Sequence, residues 1–114
     1  MGDELNNENS KFGLNQKQLQ QILHAIQSFP LIEKVIIFGS RATGTNRPGS
    51  DIDLQVFTKA ITFSIVNRLA SALDDLPLPF LIDVVNYQTI NNTALKENID
   101  TKGKVLFERK LNCV

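Results

Sequence analysis

The chain has no tryptophan, one tyrosine, one methionine, one histidine and one cysteine in 114 residues. Each shortage closes off a class of protein. Cys113 alone cannot form an internal disulfide, and beside the C-terminus it reads as an incidental thiol. His24 has no His or Cys partner nearby, which leaves a lone helix imidazole rather than a ligand or catalyst. Seven Phe and one Tyr supply little surface for stacking bases. Twelve acidic and twelve basic residues cancel, so there is no electrostatic footprint for a nucleic-acid backbone. No apolar run approaches the roughly 20 residues that span a bilayer. The N-terminal MGDELNNENSK lacks the basic and apolar blocks of a secretion signal. The expectation is a cytoplasmic protein with no direct nucleic-acid partner and no membrane. An Asn91-Asn92-Thr93 glycosylation acceptor carries no weight in a chain read as non-secreted.

What is present is an ordinary globular composition, with 42% hydrophobic residues in a length that suits one small core. Residues 1–11 read as a loose polar arm and residues 12–114 as one domain. Asn15 is a good cap for a helix running to Phe29, with Leu19, Ile22, Leu23, Ile26 and Phe29 at helical spacing. Pro30 ends it, and Val35–Phe38 is an apolar, β-rich strand. A connector from Thr43 to Ser50 contains two Gly and one Pro. A second strand follows over Asp51–Phe57, then a helix over Thr62–Leu76, stopped by Pro77 and Pro79. Phe80–Tyr87 is a third strand. Asn92 or Thr93 caps a last helix that closes at Gly103, and Val105–Phe107 adds a short edge strand. This order predicts an α/β (α+β) domain, a small mixed β-sheet with helices packed against it.

The segment Gly39–Asp53 reads GSRATGTNRPGSDID: a Gly-Ser pair, ten residues, then two aspartates separated by one. A match of this form arises by accident in roughly one chain per thousand of this length at average usage. Gly39, at the end of a buried strand, has no Cβ, so a phosphate can approach the backbone. Ser40 offers a hydroxyl and an amide, and Ser40–Thr43 can begin a short helix whose free N–H groups favour anions. Alternation along a strand puts Asp51 and Asp53 on one face, with Ile52 and Leu54 on the other. Two carboxylates near a phosphate cradle suit Mg²⁺, which prefers hard oxygen ligands and substrate phosphates. Gly39 and Gly44 also have the spacing of a P-loop. Thr45-Asn46 stands where that motif needs Lys and then Ser or Thr, so the P-loop reading fails.

Asp83 stands in the apolar run FLIDVVNY, which reads as a strand covered on both faces. An ionised carboxylate there is costly unless paired, hydrogen-bonded or metal-bound. A salt bridge to an Arg or Lys elsewhere is the bland alternative. Arg41 is placed to neutralise charge on a leaving pyrophosphate, or equally to be a solvated surface residue. Arg47, in the connector, is a weaker candidate for nucleotide contact.

From Leu31 to Phe107 the sequence resembles the DNA polymerase β-type nucleotidyltransferase superfamily. Within it the chain is similar to the minimal nucleotidyltransferase branch, small partners of helical HEPN-domain toxins. The resemblance implies that Gly39 and Ser40 hold the triphosphate of ATP. It further implies that Asp51 and Asp53 bind divalent metal, and that Asp83 completes the metal site and helps activate the incoming hydroxyl. Two Mg²⁺ ions are the implied cofactors. The implied activity is transfer of AMP from ATP to a hydroxyl, most of all on a HEPN-type protein encoded alongside, as an antitoxin-type component. A non-catalytic module that binds nucleotide and silences the toxin by contact is the alternative. An antibiotic-modifying enzyme fits less well, because relatives of that kind carry a helical acceptor domain for which 114 residues leave no space. The acceptor site is therefore expected from a partner, in a homodimer or hetero-oligomer.

Overall fold

Capping and periodicity explain where the first helix begins. In the computed structural model, which describes residues 12–47, 49–58, 63–86 and 91–109, α1 spans Gln16–Gln27. Asn15 accepts from the Gln18 amide while the Gln18 side chain accepts from the Asn15 amide, a reciprocal capping box that satisfies two helix-end donors. Ser28 is the C-cap, so the helix stops short of the expected Phe29. The remaining elements are β1 (Ile32–Phe38), α2 (Ser40–Thr43), β2 (Ile52–Thr58), α3 (Phe63–Asp74), β3 (Ile82–Asn86), α4 (Thr93–Lys102) and β4 (Lys104–Glu108).

The four strands form one sheet in the order β3-β2-β1-β4. β1 pairs antiparallel with β2 and β4, whereas β2 and β3 run parallel, so the sheet is mixed as expected. β1 begins three residues earlier than its apolar run suggested, because Ile32 finds Thr58 across an irregularity in register. One face of the sheet closes the core. Val35 and Ile37 of β1 and Ile52, Leu54 and Val56 of β2 are fully buried in one cluster with Ile22 and Ile26 of α1 and Leu69 and Leu73 of α3. On the other side α4 is anchored by Ile99 and ends at Gly103. Gly103 has extended backbone, not the left-handed cap that glycine often provides there. A Cβ at that position would meet Ile36 and the Ile99 carbonyl, so close packing is what requires glycine.

Two expectations need correction. Asp51 lies just before β2, not within it. Asp83 is exposed on β3, which is an edge strand of the sheet. Leu81, two residues before it in the chain, is 66% exposed, so the apolar run is not covered on both faces. A run of apolar residues reads alike in a central strand and in an edge strand whose second face is open. The expected N-terminal arm, Tyr87 and Cys113 lie outside the described residues. Among the described residues no helix is long and apolar enough to cross a membrane.

Candidate functional site

The site grows from the ends of three neighbouring strands. β1 ends at Phe38, which is paired with Asp53, and Asp53 is paired in turn with Asp83. The carboxylates of β2 and β3 therefore stand side by side on one face of adjacent strands. Asp51 precedes them at the strand entrance, held in line by the Ile52 amide, which donates to the Leu81 carbonyl at 2.9 Å.

Gly39 turns the chain from β1 into α2 with φ 80° and ψ −155°, a region reserved for glycine. A Cβ there would lie 2.7 Å from Oδ2 of Asp53. The Gly39-Ser40 turn thus touches the second aspartate directly, and Ser40 opens the one-turn α2 beside it. The Gly39 carbonyl accepts from the Ala42 and Thr43 amides, and the Ser40 carbonyl accepts from the Thr45 amide at 2.9 Å. These bonds lock the turn in place. The ten-residue spacer read from the sequence is the length of loop that returns the chain from this turn to the next strand.

Burial pushes the Asp53 carboxyl above its ordinary value, and the negative charges of Asp83 and then Asp51 push it further. The three carboxylates therefore share one electrostatic neighbourhood. Among the described residues, however, no three His, Cys, Asp or Glu side chains are close enough together to hold a metal ion. The donor set consists of hard carboxylate oxygens on adjoining strands, with a half-buried member whose charge is unfavourable alone. That set fits a hard divalent cation.

Arg41 is placed otherwise than its motif position suggested. It is 3% exposed. Its Nε and Nη2 both donate to the Ser50 carbonyl, at 3.0 and 2.7 Å, and Nη1 donates to the Phe12 carbonyl at 2.9 Å. The guanidinium also stacks over Phe80 at 4.7 Å from the ring centroid. Burial lowers its pKa, and the nearby Asp51 partly restores it. A guanidinium held in this way is turned away from a solvent-borne phosphate. Arg47 is exposed in the connector, which is closed by reciprocal bonds between Arg47 and Ser50.

Sequence reasoning passed over Gln55. It lies two residues beyond Asp53 on the same face of β2, is fully buried, and has neither amide atom hydrogen-bonded. A glutamine inside the apolar stretch Leu54–Phe57 was the available signal. His24 lines a concavity of about 520 Å³ with Lys17, Gln20, Gln21 and Leu76, a set with no acidic partner for the imidazole.

Comparison with known proteins agrees with this geometry. The family described as Polymerase beta, Nucleotidyltransferase matches residues 20–112. The chain is 28% identical over 99 residues to Protein adenylyltransferase MntA of Shewanella oneidensis, a match covering 82% of this chain and 66% of that protein. It therefore spans a little under two thirds of that relative's length. A chain in a crystal structure of a toxin–antitoxin with AMP-PNP superposes with a TM-score of 0.60 at 26% identity, covering 81% of this chain and 74% of that one. A chain from a mutant of the toxin–antitoxin MntA-HpeT superposes with a TM-score of 0.56 at 27% identity, covering 85% and 75%. The sheet order, the Gly-Ser turn against Asp53 and a family match over most of the sequence lead to one conclusion: the chain belongs to the polymerase β nucleotidyltransferase family.

Proposed function

We propose that this protein transfers AMP from ATP to a hydroxyl on a helical HEPN-type partner, as the antitoxin-type component of a toxin–antitoxin pair. The observation that carries the reading is the meeting of Gly39 with the Asp53 carboxylate, beside Asp83 on the next strand. It supports a phosphate held at the Gly39-Ser40 turn close to carboxylates that would bind cations. The relatives named for protein adenylylation, toxin–antitoxin pairing and AMP-PNP support the choice of nucleotide and acceptor.

Asp51, Asp53 and Asp83 would hold two Mg²⁺ ions, which, when bound, offset charge on the phosphates and on the oxygens that enter and leave phosphorus. Ser40 holds the terminal phosphates through its hydroxyl and amide, and Gly39 leaves room for the Asp53 carboxylate beside them. Arg47, exposed in the connector, meets the leaving pyrophosphate in place of the buried Arg41. Asp83, at the open edge, takes the proton from the acceptor hydroxyl. A bond forms from the acceptor oxygen to the α-phosphorus, the bond from that phosphorus to the bridging oxygen breaks, and pyrophosphate departs. Exposure of Asp83 and Leu81 at the sheet edge leaves the acceptor side open, which suits an acceptor carried by another chain.

The test is incubation of the full chain with α-labelled ATP, Mg²⁺ and the helical product of the adjacent gene. Label should pass to the partner. Asp53→Asn should reduce transfer by on the order of 10³, about 4 kcal/mol of barrier, while the two proteins still co-elute. Equal labelling by the variant would remove the site assignment. If neither form labels a partner that both neutralise, the chain is a non-catalytic binder.

A further inference from the structure

Arg41 joins parts of the chain that the sequence motif treats as separate. Its guanidinium holds the carbonyl of Ser50, the residue before Asp51, and the carbonyl of Phe12 at the entrance to α1. Its flat face lies on Phe80, three residues before Asp83. Its own backbone follows Ser40. The first and third aspartates thus lie within three residues of something this side chain grips, and the Gly39-Ser40 turn adjoins Arg41 itself.

The connector needs such a grip. Gly44 and Gly49 have positive φ, and a Cβ at either would meet nothing within 4 Å, so the connector is not packed at those points. The bonds between Arg47 and Ser50 close it on itself without tying it to the body. On the other side, a Cβ at Gly13 would meet Asn46 Nδ2 at 2.7 Å and Arg41 Nη1 at 2.8 Å. Phe12 has φ 58°, unusual for a residue with a side chain, and the same arginine holds its carbonyl. The turn at Phe12-Gly13 is the floor on which Arg41 rests.

We infer that Arg41 is a positioning residue: anchored on the Phe12 carbonyl and Phe80, it sets the distance between the Gly39-Ser40 turn and Asp51 without touching nucleotide. The planar fork is essential to this role. Two N–H groups converge on one carbonyl while a third reaches another, an arrangement that a lysine's single ammonium cannot copy. The inference rests on the nucleotidyltransferase reading for what is positioned, but the positioning itself can be measured without catalysis.

The test compares the full chain with Arg41→Lys and Arg41→Met by amide hydrogen exchange, Mn²⁺ titration and AMP transfer to the partner. The Ser50 and Ile52 amides, which donate to the Arg47 and Leu81 carbonyls, report on the connector. Both variants should exchange about tenfold faster there, with the middle of β2 unchanged, since only local opening becomes easier. Mn²⁺ should bind about tenfold more weakly, and kcat should fall by about 10² with KM for ATP little changed, as expected of small misplacement. Lysine should not rescue. If Arg41→Lys matches the parent in exchange and Mn²⁺ affinity, the guanidinium geometry is irrelevant and the inference fails. If both variants lose the fold, Arg41 is a core prop and the inference also fails. If the parent transfers no AMP, the proposed function falls while exchange still decides the positioning role.

Discussion

On one face of β2, Ile52, Leu54 and Val56 are fully buried among the aliphatic side chains of α1 and α3. On the other, Asp53 and Gln55 face the side where the Gly39-Ser40 turn and Asp83 lie. The same backbone ladder supports both, and the period of two assigns alternate residues to opposite surroundings. The apolar face contributes roughly 1.5–3 kcal/mol for each large side chain it buries. The polar face works against folding. Burial raises the Asp53 pKa, and Gln55 holds two polar atoms away from water with no partner. One strand therefore offsets on its core side what it spends on its polar side.

The largest expected effect separates the two faces outright. Leu54→Ala should destabilise the fold by about 3 kcal/mol through lost burial and a residual cavity, whereas Asp53→Asn should leave the denaturant midpoint at or above the parent's. Urea unfolding of both variants measures this. A midpoint for Asp53→Asn as low as that of Leu54→Ala would abolish the distinction.

Much of this contrast was legible in the sequence. Alternation through Ile52-Asp53-Leu54 assigns the faces without coordinates, and Asn15, Pro30 and Asn92 mark helix ends through local hydrogen bonding and ring geometry. Edge placement was not legible. Phe80–Tyr87 has the composition of a buried strand, and no local rule says that the neighbour on one side is missing. The burial cost expected at Asp83 falls instead on Asp53, which lies in the second of four strands with a neighbour on each side.

A smaller effect sharpens the comparison through pH. Because the folded-state pKa of Asp53 is raised above the ordinary 3.8, the unfolded chain gives up its proton first as pH rises. The Asp53 contribution should therefore reduce stability as pH climbs from the ordinary value through the raised one, then level off. Below the ordinary value both states are protonated and the contribution vanishes. Melting temperatures of the parent and Asp53→Asn from acid to neutral pH should converge at the acid end and separate in the variant's favour above it. Adding Mg²⁺ at neutral pH should narrow the gap, since a bound cation favours the ionised form. A gap independent of pH would mean that the charge of Asp53 is not the cause.

The smallest expected effect concerns Gln55. Gln55→Leu replaces an unpaired buried amide by an apolar group of similar size and should raise stability by about 1–2 kcal/mol. For a domain of this size that is roughly 4–8 °C in Tm per kcal/mol. Calorimetry of the two forms measures it. A lower Tm would show that the amide has a bonding partner in solution and that the polar face is better satisfied than its hydrogen bonds indicate.

By itself the sequence determined the element order, the alternation that sends Asp53 away from the core, and the glycine at the end of β1. Each is set by interactions within a few residues: strand pleat, helix caps and the backbone freedom of Gly39. Tertiary structure decided that Gly39 abuts Asp53, that Asp53 stands beside Asp83 on a parallel neighbour, and that Arg41 faces inward. Those outcomes depend on which strands become neighbours. Only long-range pairing brings Phe12, Ser50 and Phe80 around one guanidinium, and no spacing in the linear chain records that they meet.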